Sequence, residues 1–145
     1  MKQCIGWREW VSLPELGIAR LKAKVDTGAR TSALHAFAVT PFEQDGNLWV
    51  DFAIHPRQRH TEPSVACRWP VTDQRIVRDS GGHEEERYVI RTAVCVGNDR
   101  HEIEITLTDR DNMGFRMLIG RTALGSYVVD PSQSFLLGKR QPTAK

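Results

Sequence analysis

The sequence predicts an all-β fold, mostly antiparallel. Two observations carry this: apolar residues alternate with polar ones at period two in segment after segment, and Asp-Gly or Gly-rich turn signals separate those segments. A third points the same way. The one segment that reads as a helix start, Thr122-Ala123-Leu124, is cut short at Gly125.

The first clear strand places Leu21, Ala23 and Val25 against Arg20, Lys22 and Lys24, and it runs straight into Asp26-Thr27-Gly28. After Asp45-Gly46, Leu48, Val50, Phe52 and Ile54 alternate with Trp49, Asp51 and Ala53, as in a strand leaving a hairpin. The stretch from His55 to Pro70 has prolines, several Arg, His and Glu, and no clean period, so it is expected to be an exposed excursion. Arg75–Arg78 and Arg87–Arg91 flank Asp79-Ser80-Gly81-Gly82, the pattern of a glycine-tipped hairpin that could serve as a mobile flap. A strand over roughly Thr92–Val96 then turns at Gly97-Asn98-Asp99. Beyond it, Ile103, Ile105 and Leu107 alternate with Glu102, Glu104 and Thr106. The short apolar run Phe115–Ile119 is broken by Gly120-Arg121, Tyr127-Val128-Val129 forms a last strand, and the tail is expected to fray.

At 145 residues, with 40% apolar and 26% charged residues, the chain fits one soluble globular core. No internal repeat or linker divides it, so a single domain over 1–145 is expected, with an ordered core over about 5–138 and a tail at 139–145. Twenty Lys and Arg against 18 Asp and Glu leave a net charge of +2 without a polybasic run, which argues against a nucleic-acid partner. Cys4, Cys67 and Cys95 are odd in number and widely spaced. They match neither a disulfide framework nor a paired CxxC metal site, and the simplest home is a reducing cytoplasm. The N-terminal residues have no apolar h-region, and no stretch approaches the ~18 apolar residues of a membrane span, so neither secretion nor membrane insertion is expected.

The sharpest motif is the strand Ala23-Lys24-Val25 entering Asp26-Thr27-Gly28-Ala29, with Leu118-Ile119-Gly120-Arg121 about ninety positions later in the chain. An ordinary turn after a strand also favours Asp and Gly. The longer string Lys24-Val25-Asp26-Thr27-Gly28-Ala29-Arg30-Thr31-Ser32-Ala33-Leu34-His35 is far more specific. On these residues the chain resembles the retropepsin-like aspartic proteases. It is similar in particular to a bacterial family labelled "ATP-dependent zinc protease" and associated with RimK-type glutamate ligases. The likeness extends through Arg87–Thr92, Ile103–Thr108, Met113–Arg121 and Val129–Ser132.

The resemblance implies a small closed barrel of the retropepsin-like type with one short C-terminal helix. It implies an aspartic endopeptidase in which Asp26 is catalytic, Thr27 and Gly28 shape the site, and Leu118-Ile119-Gly120 packs behind the loop. Ala29, Arg30, Ser80, Gly81, Gly82 and Arg121 would bind the peptide or protein substrate. The chemistry requires two carboxylates close enough to share one proton, one activating water and the other polarising the scissile carbonyl. One loop in a chain of this size therefore implies a homodimer with the site on its two-fold axis. Asp79-Ser80-Gly81 also matches D-[ST]-G, but only one apolar-apolar-Gly support segment stands out, so Asp79 reads as a turn residue of the flap. An alternative remains: a non-catalytic peptide-binding module that modulates an ATP-grasp, RimK-type glutamate ligase.

One departure matters. In the retroviral enzymes the residue two after the motif glycine is commonly acidic and pairs with the arginine following the distant glycine. Here that position is Arg30. Two guanidiniums do not neutralise each other, so an anion must approach: either a protein carboxylate such as Glu104 or Asp111, or a carboxylate of the substrate. The second option gives a cleft, built on Arg30 with Arg116 or Arg121, that accepts acidic peptides.

No cofactor or metal is expected. His83-Glu84-Glu85-Glu86-Arg87 begins like H-E-x-x-H but has Arg at the second histidine position, and His35, His55, His60, His83 and His101 show no ligand spacing. No Walker-type loop or G-x-S-x-G is present, and Cys67 and Cys95 read as buried packing residues.

Overall fold

The computed structural model describes residues 2–56, 64–78, 81–109 and 114–138. Its strands are β1 (Gln3–Gly6), β2 (Arg8–Leu13), β3 (Ile18–Val25), β4 (Ser32–His35), β5 (Phe37–Gln44), β6 (Asn47–Ile54), β7 (Val65–Pro70), β8 (Asp73–Arg78), β9 (Glu84–Val96), β10 (Asp99–Thr108), β11 (Met117–Ile119) and β12 (Tyr127–Asp130). The all-β expectation holds.

The main sheet runs β10-β4-β11-β3-β2-β9-β8. Because β9 also pairs with β10, this sheet closes on itself and leaves β8 outside the ring. Closure hides the edges that open strands would expose. A three-stranded sheet, β5-β6-β7, packs against the ring, and β1 pairs in parallel with β12. Inward residues of these layers form one core. Leu21 and Ala23 of β3, Leu34 of β4, Val50 and Ile54 of β6, Ile90 of β9, Ile105 of β10 and Met117 of β11 are all essentially inaccessible. Each of these side chains larger than alanine contributes about 1.5–3 kcal/mol of burial free energy.

Three readings need correction. The segment from His55 to Pro70 is not all excursion: Val65–Pro70 is strand β7, paired with β6 from Ile54↔Val65 to Trp49↔Pro70. Val65, Cys67 and Trp69 pack against the core on one face, a pattern masked in the sequence by Ala66, Arg68 and Pro70 on the other. Residues Arg87–Arg91 and Thr92–Val96 belong to one continuous strand, β9, rather than two. The short C-terminal helix is a single 3-10 turn, Arg121–Ala123, following Gly120. A second such turn, Pro14–Leu16, links β2 to β3. No described helix is long and apolar enough to cross a membrane. The tail at 139–145 lies outside the described residues.

Candidate active site

Strand β3 delivers Asp26, and β11 holds it in place. Three-residue β11 inserts between β3 and β4, parallel to β3 (Ile119↔Val25) and antiparallel to β4 (Leu118↔Ala33). The chain leaving β3 and the chain entering β4 are thereby splayed apart, with β11 behind the loop that joins them. The Val25 amide donates to the Trp7 carbonyl at 2.8 Å and the Asp26 amide to the Ile119 carbonyl at 2.9 Å, which fixes the root of the loop. Leu118-Ile119-Gly120 thus stands where the motif reading puts it.

The loop is braced on its far side as well. Arg121 N–H donates to the Ala29 carbonyl at 2.8 Å, and Thr122 N–H donates to the Arg30 carbonyl at 3.0 Å. Nη1 of Arg121 donates to both the Thr27 and the Gly28 carbonyl oxygens, at 3.1 Å each. Gly120 must be glycine: a Cβ there would lie 2.5 Å from the Thr31 carbonyl carbon and 2.9 Å from the Ser32 nitrogen. Its own N–H donates to the buried Ser32 Oγ at 3.1 Å.

Within the loop, the Gly28 N–H donates to Asp26 Oδ1 at 3.1 Å and the Ala29 N–H to the Asp26 carbonyl at 3.2 Å. One carboxylate oxygen is therefore held, and the other makes no bond to a described residue. Asp26 is half-buried while Thr27 and Gly28 are exposed at the loop tip, so the carboxylate and the threonine both face outward, toward whatever meets this surface.

The structure brings together Asp26, Thr27, Gly28, Ala29, Arg30 and Arg121. Arg121 is committed to loop carbonyls, and Arg116 is buried, with its Nη1 3.3 Å from His35 Nδ1, which accepts because a guanidinium only donates. Glu104 pairs with Arg75 at 3.0 Å and is not the counter-charge of Arg30. Asp111 lies outside the described residues. Arg30 is exposed and forms no ion pair or side-chain hydrogen bond with a described residue.

The flap hairpin exists as β8 paired antiparallel with β9 from Asp73↔Val89 to Arg78↔Glu84, closed by an ion pair between Arg78 and Glu84. Gly81 and Gly82 sit at its exposed end, Gly82 at φ +87°, which favours glycine. Asp79 and Ser80 lie outside the described residues. Sequence reasoning missed how the hairpin's inner strand is tied to the loop. Buried Arg87 pairs with Glu85 and donates to Thr106 Oγ1 at 3.3 Å, and Thr106 Oγ1 donates to the Ser32 carbonyl at 3.3 Å. Ser32 also holds Gly120, so one polar chain joins the hairpin base to the back of the Asp26 loop. The only sequence signal was the Thr-Ser pair after Arg30.

Among the described residues, no three His, Cys, Asp or Glu side chains come together as a zinc site would need. His35 faces Arg116, His101 bonds the Tyr127 hydroxyl at 3.0 Å, His55 stacks on Phe37, and His60 lies outside the described residues. Burial pushes the Cys67 thiol up to about 11, so it is protonated at neutral pH and a poor nucleophile.

Residues 4–140 match the model of a family described as RimB-like, the retropepsin-like aspartic endopeptidase RimB. This chain belongs to that family. A Shewanella pealeana protein named probable alpha-L-glutamate ligase is 45% identical over 140 residues, 96% of this chain and 31% of the relative. A Parasynechococcus marenigrum protein of the same name is 47% identical over 138 residues, 94% of this chain and 30% of the relative. The chain spans about a third of the length of these curated relatives. The crystal structure of a Legionella pneumophila protein of unknown function (DUF785) superposes with a TM-score of 0.78 at 24% identity, covering 94% of this chain and 99% of that one, and shares the fold.

Proposed function

We propose that this chain is an aspartic endopeptidase that works as a homodimer and cleaves acidic protein tails. The observation that carries the reading is the Asp26 loop: an outward-facing carboxylate with one oxygen held by Gly28, braced by Ile119 and Arg121, in a domain of the RimB-like family. In a pair of such loops the ionised Asp26 takes a proton from water as the water oxygen bonds to the scissile carbonyl carbon. The protonated Asp26 of the second copy gives its proton to the carbonyl oxygen, and collapse of the tetrahedral species transfers a proton to the leaving amine. Ser80 to Gly82 would close over the peptide.

Preference for negative charge rests on Arg30, an exposed guanidinium with no described counter-ion beside the loop. It accords with the ligase name of the relatives, since a ligase that adds glutamate produces acidic tails. A reducing, cytoplasmic setting accords with the free thiols of Cys4, Cys67 and Cys95.

A second reading is favoured by the same relatives. Because the matched region is about a third of proteins named as ligases, the domain could act beside a glutamate ligase as a binding module without cutting. The experiment is cleavage of glutamate-rich and neutral peptides by wild type, Asp26→Asn and Arg30→Ala. The peptidase reading expects loss of all cleavage in Asp26→Asn and loss of the acidic preference in Arg30→Ala. Equal rates on both peptides would remove the acidic preference; no cleavage by wild type would favour the module.

A further inference from the structure

Strands β2 and β3 carry an ordered row of cations and rings on their outward face. Strand alternation puts Arg20, Lys22 and Lys24 on the side of β3 opposite the core, and Arg8 and Trp10 on the same side of β2. The register sets Lys24 opposite Arg8 and Lys22 opposite Trp10. The Arg20 guanidinium lies over the Trp10 ring at 4.0 Å, and Trp10 stacks with Phe135 at 5.7 Å and 20°. The Arg8 guanidinium lies 4.9 Å from the Phe135 centroid and 4.6 Å from that of Trp7. The ladder ends beside the Asp26 loop, because the Trp7 carbonyl is the acceptor for the Val25 amide.

Two features set this face apart from an ordinary solvated surface. Neither Arg8 nor Arg20 forms an ion pair with a described residue. The one carboxylate of β2, Glu9, is turned inward and wholly buried, accepting from the amides of Gly6, Leu136 and Leu137. The second feature is Phe135, which sits at φ 54°, a strained left-handed conformation for a bulky aromatic residue. Its amide donates to the Arg8 carbonyl at 3.0 Å, and the strained backbone inserts the ring between Trp10 and Arg8. The rings hold the cations in place, which lowers the entropy lost when an anion docks.

We propose that this face is a docking strip for an extended acidic polypeptide segment. Side chains on one side of an extended chain repeat every ~7 Å, the same step that separates Arg20, Lys22 and Lys24 along β3. Alternate carboxylates of an acidic run therefore meet successive cations. The strip ends at Lys24, two residues before Asp26, so a segment bound on it is held next to the loop. A polypeptide is favoured over a nucleic acid because the whole chain carries a net charge of only +2. The proposal deepens the peptidase reading, yet the binding itself needs no hydrolysis.

The test is fluorescence anisotropy with a labelled oligoglutamate peptide of about eight residues, long enough at ~3.4 Å per residue to cover the strip. Oligoglutamine and a single-stranded RNA of similar charge are the controls, and Asp26→Asn protein is used throughout so that cleavage does not intervene. Binding of oligoglutamate that weakens with salt and falls by about tenfold or more in Arg20→Glu/Lys22→Glu is the expected result. Near-UV circular dichroism of the Trp10 environment reports whether that variant is folded. The milder Arg20→Gln, altering an exposed side chain, should show a smaller loss in the same direction. Arg68→Ala, which removes a cation of β7 paired with Asp51 and off the strip, should stay within about twofold of the parent. Unchanged oligoglutamate binding in both strip variants, no binding by the parent, or tighter binding of RNA would each overturn the proposal. Failure of hydrolysis in the peptidase experiment would leave this result unaffected.

Discussion

The Asp26 amide donates to the Ile119 carbonyl at 2.9 Å, joining the residue at the end of β3 to a strand more than ninety positions away in sequence. That bond, with β11 lodged between β3 and β4, converts a turn into a rigid platform. Rigidity there is what a carboxylate needs if it is to meet another at fixed distance.

Gly120→Ala should destabilise the fold, because the added methyl meets backbone rather than a side chain that could swing away. Its nearest atoms are the Thr31 carbonyl at 2.5 and 2.7 Å and the Ser32 nitrogen at 2.9 Å. A loss of about 2 kcal/mol or more is expected from urea unfolding. Gly125→Ala, with open space around it, should be nearly silent.

Arg121→Ala should leave the protein folded but loosen the loop. Its guanidinium is exposed, so the thermal midpoint should move little, whereas the Thr27 and Gly28 carbonyls lose their shared donor. Turnover is expected to fall about tenfold or more from misplacement of Asp26. Equal losses of stability and activity would instead mark Arg121 as a fold residue.

Glu9→Ala should cost about 3 kcal/mol, since it strands three amides, those of Gly6, Leu136 and Leu137, beneath the sheet. Hydrogen exchange at Leu136 and Leu137 should speed up more than at core amides. Glu9→Gln, which keeps one acceptor oxygen, should lie between the two.

Alkaline pH should weaken the fold. Burial raises Cys67 from 9.0 to about 11 and, with Asp99 beside it, also raises Tyr127 above 10.0. Above pH 9 the unfolded chain releases the Cys67 proton while the folded chain keeps it. The unfolded state then binds fewer protons, and stability falls as pH climbs from about 9 to 11. Denaturant melts across that range should show the decline, and Cys67→Ala should delay its onset. Below pH 9 the thiol should contribute no slope. Thiol labelling at neutral pH should accordingly mark exposed Cys4 well before Cys67.

What could be read in the sequence was local. Leu21, Ala23 and Val25 alternate cleanly, so β3 and its Asp26 loop stood out. The strand β2 did not, because Glu9 occupies an inward position normally apolar and breaks the pattern. Pro41 similarly obscured β5, where proline is tolerated because β5 is an edge of its sheet. The seat of β11 between β3 and β4 depends on pairings across most of the chain, which no periodicity encodes; the family likeness put Leu118-Ile119-Gly120 behind the loop but not between the two strands. The family likeness offered Arg121 as a substrate contact, and only the folded loop shows its carbonyl partners.

Asp26 is proposed to work in pairs, one from each copy. Mixing wild type with an equal amount of Asp26→Asn, after subunits have exchanged, tests it directly. If each active site needs an Asp26 from both copies, mixed dimers are dead and the activity of the fixed amount of wild type drops to about half. Activity that stays at its starting value would show that one Asp26 suffices, and would contradict the shared site.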